Sequence, residues 1–555
     1  MTVVTDRVDV LICGTGFGGS ISAYRLAELY RAAGADPAGI LVLERGRRFA
    51  TADFRQSTEM GYNGSLYQVL RGVGANILTA NLVGGASNVY QGVSMRAPTE
   101  TFERRDRRPG DGPERRMWPK EISRATLNPF YARAERGLRV ARPPWSRISK
   151  AGGVFAAAMR EAGHTADRLP LAINVNRCQE SKWCNAGCIF GAINRLPSNY
   201  LGTAERAGVR IRPNSQAESI RPAAPPYRFG VRVSPMDNEG PAPTRAANTD
   251  AAYEIECKVL ILACGAMGDP QILMRSRLSL PALSAHVGRH LGVNGDHVTS
   301  VQLRPEKVRS VLGLPGYHDF HKGRQCSMGC FDFHVGRREH KFDGTRFILE
   351  ELYLSPATQI FYDDGRDPPG EPSWWGLQKK RSLKEYPSRV EVLALVEDTQ
   401  DGHFIAPPPS GASIRTTPGP LTLAPFTYKF SEQSAHVRER ADTVIRSVFE
   451  RKGLGRFIKA TGARGPNASH PLGGCRMADS RDLGVTGHAG NVFGYEGLYC
   501  IDSSIVPTSL TVNPSLTIAA LAERCSQLLI RRGADFGLPA MPAGFRPGTP
   551  AELVV

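Results

Sequence analysis

Val8-Asp-Val-Leu-Ile-Cys-Gly-Thr-Gly-Phe-Gly-Gly-Ser-Ile-Ser-Ala-Tyr-Arg-Leu-Ala-Glu-Leu29 is the stretch whose reading decides the fold. Residues 8–13 form an apolar strand that runs into a glycine-rich turn and then a helical pattern. Gly14 permits the tight turn, Gly16 lets the backbone approach a pyrophosphate, and Gly19 lets helix and strand pack closely. The helical stretch follows from Ser20, and its N-terminus faces the phosphates. A second apolar run, residues 40–43, ends in Glu44, about 25 residues beyond Gly19, where a carboxylate accepts ribose hydroxyl hydrogens. Strand, turn, helix and distant acid together predict a Rossmann-like dinucleotide-binding domain.

A chain of 555 residues exceeds what one hydrophobic core supports, so two structural domains are expected. The net charge of +17 comes mostly from arginine spread along the chain. One dense cluster, Arg104, Arg105, Arg107, Arg108, Arg115 and Arg116, is broken by Asp106, Asp111, Glu114 and Pro-Gly turns and reads as a solvated loop. It has no interleaved stacking aromatics, which argues against a nucleic-acid groove. It is compatible with peripheral attraction to an anionic membrane. The first strand begins at residue 8, leaving no room for a secretory signal, and the expected location is the cytoplasm. No window approaches 18 consecutive apolar residues. Eleven scattered cysteines suit reduced thiols. Cys178, Cys184 and Cys188 would supply three thiolates, but a structural zinc needs four ligands and no fourth lies near in sequence. They read as structural thiols or one disulfide, and no metal is expected.

Several distant segments look like parts of the same nucleotide-binding domain. Residues 208–211 read as a short strand, residues 229–233 and 253–257 as hairpin strands, and residues 259–262 as a buried strand. That strand ends in small residues, Ala263-Cys264-Gly265, suited to close backbone approach to a dinucleotide. Residues 497–502 read as a further strand, and Pro514 opens an apolar helix over 515–530. Between about 301 and 454, alternating stretches such as 346–354 and 389–396 are separated by Pro/Gly-rich connections, Pro368-Pro-Gly-Glu-Pro and Pro407-Pro-Pro-Ser-Gly among them. These predict a large antiparallel sheet in a second, substrate-facing domain. The fold class is therefore α/β, α+β overall. The nucleotide domain is assigned residues 1–110, 195–300 and 455–537, the substrate domain 111–194 and 301–454, and a C-terminal arm 538–555.

Five motifs carry a family resemblance: the N-terminal fingerprint, Val83-Gly-Gly-Ala-Ser-Asn-Val-Tyr-Gln-Gly92, Leu291-Gly-Val-Asn-Gly-Asp-His297, His470-Pro-Leu-Gly-Gly-Cys475, and Leu498-Tyr-Cys-Ile-Asp502 with Val512-Asn-Pro514. In order and spacing the chain resembles the glucose-methanol-choline oxidoreductases, most closely the cholesterol oxidase branch. The resemblance implies FAD. It assigns Gly14, Gly16, Phe17, Gly18, Gly19 and Glu44 to the ADP half, and Gly85, Ser87, Asn88, Gln91 and Gly92 to the pyrophosphate, ribityl and flavin side. Cys264, Gly265, Asn294 and Asp502 complete the implied cofactor contacts. Gln91 departs from the usual Asn. No histidine lies in residues 83–96, so the flavin is expected to be non-covalent.

The same resemblance places His470 and Asn513 beside the isoalloxazine ring. An imidazole, with an unperturbed pKa near neutrality, suits the hydroxyl proton. The helix after Asn513 offers its positive end to the reduced ring. Cholesterol oxidases also carry a proton-moving glutamate, here sought in Leu349-Glu-Glu-Leu-Tyr-Leu-Ser-Pro356. Glu351, five residues before the proline, is preferred over Glu350, because on an alternating strand one of the two faces inward. The expected substrate is a small-molecule alcohol, a steroid or similar lipid first, with O2 or another acceptor taking the electrons. A sugar-like or specialised-metabolite alcohol and a redox-silent lyase on the same scaffold are the competing readings.

Overall fold

The computed structural model describes residues 3–57, 59–106, 115–239, 246–317, 326–334, 346–352, 354, 380, 384–405, 426–458 and 467–551. Arg107, Arg108, Pro356, the two proline-rich connections and residues 552–555 lie outside the described residues.

The first strand, Val4–Cys13, is buried from Val10 onward because it runs through the middle of a seven-stranded sheet. It pairs in parallel with Ile40–Leu43 on one side and Tyr253–Leu262 on the other. Arg210–Arg212 extends the parallel edge. The hairpin strand and buried strand expected at 253–262 are one continuous strand with two kinds of neighbour. Its first half pairs antiparallel with Phe229–Pro235, and Leu260–Leu262 pair in parallel with Leu498–Cys500. Apolar runs buried on both faces are what such central strands require.

Three helices pack as one group, Phe17–Ala32 against the sheet, Ser515–Arg531 against Phe17–Ala32, and Arg124–Leu138 against Ser515–Arg531. A buried polar knot joins them. Arg25 donates to both oxygens of Glu523 at 2.7 Å, Tyr200 donates to the same carboxylate at 2.8 Å, and Tyr131 and Thr517 share a hydrogen bond of 2.8 Å. The described residues of the C-terminal arm, 538–551, form no helix or strand but are tied in, the Gly548 carbonyl accepting from Arg25 at 2.8 Å.

A second sheet has six strands, antiparallel throughout, in the order Gly455–Ile458, Asp296–Leu303, Arg389–Val396, Phe347–Leu352, Met328–Cys330, Ala166–Arg168. Asp296–Leu303 and Gly455–Ile458 belong to it although the sequence reading put most of the first, and all of the second, in the nucleotide domain. Strand alternation divides its residues. Val301, Phe347, Leu349, Val390 and Val392 pack under the helices Lys150–Glu161 and Glu432–Glu450, while Val298, Ile348, Leu352, Leu393 and Leu395 join the core that holds the seven-stranded sheet.

Of the arginine cluster, Arg105–Asp106 pairs with Arg115–Arg116 as a short ribbon, and Arg104 donates to the Asp398 carbonyl at 2.7 Å. Cys178, Cys184 and Cys188 are free thiols, and among the described residues no three side chains form a metal-ligating group. No described helix is long and apolar enough to cross a membrane.

Candidate active site

A cavity of about 410 Å³ is lined both by the glycine-rich turn and by residues of the six-stranded antiparallel sheet. At one end the first turn is shaped by close contacts. Gly14 has φ +103, and a Cβ there would also overlap the Ala263 carbonyl. Side chains at Gly18 and Gly19 would collide with the carbonyls of Ile501 and Gly14. Gly16 differs from these, since a Cβ there meets no protein atom, and Gly16 lines the cavity. Its missing side chain leaves room for something other than protein.

Glu44 lies beside this turn, Oε2 accepting from the Thr15 amide at 3.1 Å and hydroxyl at 2.5 Å, Oε1 from Gly46 at 3.0 Å. Burial raises its pKa, and these donors work against that rise. Oε1, which accepts a single bond, keeps a lone pair for a ribose hydroxyl. Gly85, Gln91, Cys264, Gly265 and Asp502 line the middle. Asp502 accepts from the Gly265 amide and from Ser504 at 2.7 Å.

At the far end, His470 lies between two short strands, Asn467–Ala468 and Leu472–Gly474, each paired into a different small sheet. Its Nδ1 hydrogen-bonds to Asp296 Oδ1 at 2.7 Å, and Oδ2 of the same carboxylate accepts from Ser469 at 2.8 Å. Burial opposes the imidazolium, but Asp296 and then Glu350 outweigh it and raise the His470 pKa. Asn513 donates to Glu350 Oε2 at 3.3 Å. Glu350 is pushed up to about 7, first by burial, with Asn513, His470 and Cys326 pulling the other way.

Several sequence expectations are corrected here. Glu351 does not face the cavity. It points to the opposite side of the sheet, accepting from Ser149 and from the Ser327 amide and hydroxyl, each at 3.0 Å. Register explains it, because Glu350 pairs with Leu393 on the cavity face and Glu351 with Val392 on the helix-covered face. Distance to the proline carries no information about that parity.

Asn294 does not line the cavity either. It donates to the Val512 carbonyl and accepts from the Leu510 amide, both at 2.8 Å, bracing the segment that delivers Asn513. His297, in the same motif, is buried against Asp442 at 2.6 Å. Ser87 and Asn88 turn inward to hold their own loop, bonding the Gly84 carbonyl at 2.7 Å and the Val83 and Gly85 carbonyls at 3.0 and 2.9 Å. Gly92 packs against Ile173, and Gly19 acts only through packing. Of the two carboxylates around His470, Glu350 stood second to Glu351 in the sequence reading and Asp296 was not singled out. Asp296 stood in a quoted motif, overshadowed by its neighbours Asn294 and His297.

The cavity fits a large polar cofactor. Buried atoms without a hydrogen-bond partner among the described residues include Tyr90 Oη, Gln91 Oε1, Asn185 Oδ1, Glu350 Oε1 and Asn513 Oδ1, and all five residues line it. Unpaired buried polar groups cost about 1–3 kcal/mol each, so an occupant that satisfies them is stabilised.

The GMC oxidoreductase family models match residues 8–294 and 422–522, the two segments that meet at this cavity. The chain belongs to the GMC oxidoreductase family. As a GMC oxidoreductase it is an enzyme that oxidises alcohols, and FAD is the cofactor the family implies. It is 26% identical to the cholesterol oxidase of Mycobacterium tuberculosis, over 99% of this chain and 96% of that one. It is 25% identical to the 6'''-hydroxyparomomycin C oxidase of Streptomyces lividus, over 94% and 92%. A solved structure, an FAD-dependent oxidoreductase from Chaetomium thermophilum, superposes with a TM-score of 0.58 at 15% identity, covering 95% of this chain and 100% of that one.

One consequence of the Asp296 contact is measurable. Replacing Asp296 with Asn removes the charge that raises the His470 pKa. A base must be neutral to take a proton, so the acidic limb of the kcat/KM profile moves to lower pH. An unmoved limb in Asp296→Asn shows that the limb belongs to another group.

Proposed function

We propose that this GMC oxidoreductase oxidises a hydroxyl carried on a steroid or similar lipid, using non-covalently held FAD, with O2 or another acceptor taking the electrons. FAD, when bound, supplies the hydride acceptor. The observation that carries the substrate class is the sheet face opposite the cofactor turn. There Val298, Leu352, Leu354 and Leu393 present an apolar wall to the cavity, and the polar groups beside it are Glu350, Asn513 and His470. An aliphatic body gains about 25 cal/mol per Å² against such a wall, whereas a polyol would leave its hydroxyls unpaired there.

His470 takes the hydroxyl proton on Nε2, because Nδ1 is committed to Asp296, whose carboxylate then stabilises the imidazolium. Asn513, with one amide hydrogen on Glu350, has its Oδ1 free for a ligand. Glu350 is suited to carry a second proton, since its pKa of about 7 leaves both forms populated at neutrality. Absence of histidine in residues 83–96 supports non-covalent flavin, and heat-denatured protein is expected to release FAD to the supernatant.

The test is anaerobic reduction of the yellow holoenzyme by a sterol, a long-chain alkanol and an aminosugar alcohol in parallel. Bleaching fastest with the lipids supports the reading. Bleaching by the aminosugar alone overturns it in favour of a polar substrate, and no bleaching by any alcohol revives the lyase reading.

If a 3-hydroxy-5-ene steroid is turned over, Glu350→Gln leaves flavin reduction near the wild-type rate but releases the unconjugated ketone. The wild type releases the conjugated enone, distinguished by ultraviolet absorbance. Enone formation rises with pH through about 7, because the ionised carboxylate takes the proton first. Full enone from the variant assigns proton transfer to another base.

A further inference from the structure

Asp269 is a carboxylate buried beside the cofactor cavity that the chemistry above does not use. It sits in the helix Gly265–Arg275 and is fully buried. Its Oδ1 accepts from the Cys264 amide at 2.8 Å and its Oδ2 from the Ser504 hydroxyl at 3.0 Å. Asp502, which lines the cavity, accepts from the very next amide, Gly265, and from the amide of the same Ser504 at 2.7 Å. Two carboxyl groups are thus bridged twice, by adjacent amides on one side and by a single serine on the other.

Among the described residues, the groups facing this pair from the surrounding elements offer no counter-ion. They are the thiols of Cys13 on the first strand, Cys264 at the helix start and Cys475 and Cys500 beyond. The cavity's basic side chains are occupied elsewhere, Arg45 on Gln68 at 2.9 Å and Arg275 on the Glu218 carbonyl at 2.6 Å. Two ionised carboxylates this close, without a cation, repel strongly at low dielectric.

We propose that Asp269 and Asp502 share one proton and hold FAD as a pair of single negative charge, so that cofactor affinity falls as that proton is lost. Burial raises both carboxyl groups above the usual carboxylate range, Asp269 the further, consistent with the proton residing on the inner one. Asp269 then donates to Asp502, whose remaining charge is spent on the Gly265 and Ser504 amides. Loss of the proton sets two charges beside an anionic pyrophosphate and at the start of the Gly265–Arg275 helix. Asp269 acts through Asp502 and is a positioning residue.

The inference rests on FAD as the cofactor. In the wild-type protein the FAD Kd is flat at low pH and then rises by up to tenfold per pH unit above the usual carboxylate range, where the pair loses its proton, and on that limb binding takes up about one proton. Proton uptake is read by calorimetry in buffers of different ionisation enthalpy. Asp269→Asn, which keeps a donor toward Asp502 but cannot ionise, binds FAD with a pH-independent Kd over the same range and without that proton. Asp502→Asn, which removes one charge of the pair, also abolishes the uptake and serves if the first variant does not fold. A wild-type Kd independent of pH, or uptake that persists in either variant, overturns the proposal. Failure of wild-type apo-protein to bind FAD at any pH overturns the cofactor assignment instead, which separates the two.

Discussion

Replacing His470 with alanine slows flavin reduction by on the order of 10²–10⁴-fold while FAD remains bound, the range expected when a positioned acid–base group is lost. The imidazole bonds to Asp296, whereas Glu44 is held by Thr15 and Gly46 of its own segment and turn. The Asp296 carboxylate would survive the substitution with its Ser469 bonds intact and no imidazole to orient. Stopped-flow reduction under anaerobic conditions, with flavin content measured on the same sample, separates the chemical defect from loss of cofactor. A variant reduced at the wild-type rate would remove His470 from the mechanism, and Glu350 would become the leading proton acceptor.

Gly16→Val is expected to yield folded protein that lacks its cofactor, with the FAD Kd raised on the order of 10²-fold or more, about 3 kcal/mol. The glycines around it give the contrast. Side chains at Gly18 and Gly19 would collide with main-chain carbonyls, and fixed backbone cannot yield as a side-chain tip can. Valine at either of those positions destabilises the fold itself, by about 1–3 kcal/mol or more. Valine at 16 meets no protein atom and projects into the space where the backbone must approach a pyrophosphate. Circular dichroism and the flavin-to-protein absorbance ratio distinguish these outcomes. Gly16→Val carrying full FAD would show that the cofactor lies elsewhere in the cavity.

The nucleotide-binding half was legible because its signals are local. A strand, a three-glycine turn, a helix and an acid after the next strand lie within residues 4–44, and each follows from backbone sterics or hydrophobic periodicity. His470 and Asn513 were legible as members of short motifs, and the antiparallel character of 389–396 from its alternation. Other features depended on which segments meet. Asp296 lies 174 positions from His470 and Glu350 lies 163 from Asn513, so neither partnership leaves a trace in spacing.

The choice between Glu350 and Glu351 shows the boundary most plainly. Period-two alternation guarantees that adjacent glutamates face opposite sides of the sheet, and that much is a property of the sequence. Which side meets the cavity depends on pairing with 389–396 and on the helices that cover the other face, and only the packed structure decides it. Asn294 followed the same rule. Its motif marked it as important, but the Leu510–Val512 backbone that passes over it made it a brace for Asn513 rather than a cofactor contact. Local propensity and periodicity determined the elements and their polarity, while the facing of buried carboxylates and amides was decided by tertiary packing, because their partners are brought from distant parts of the chain.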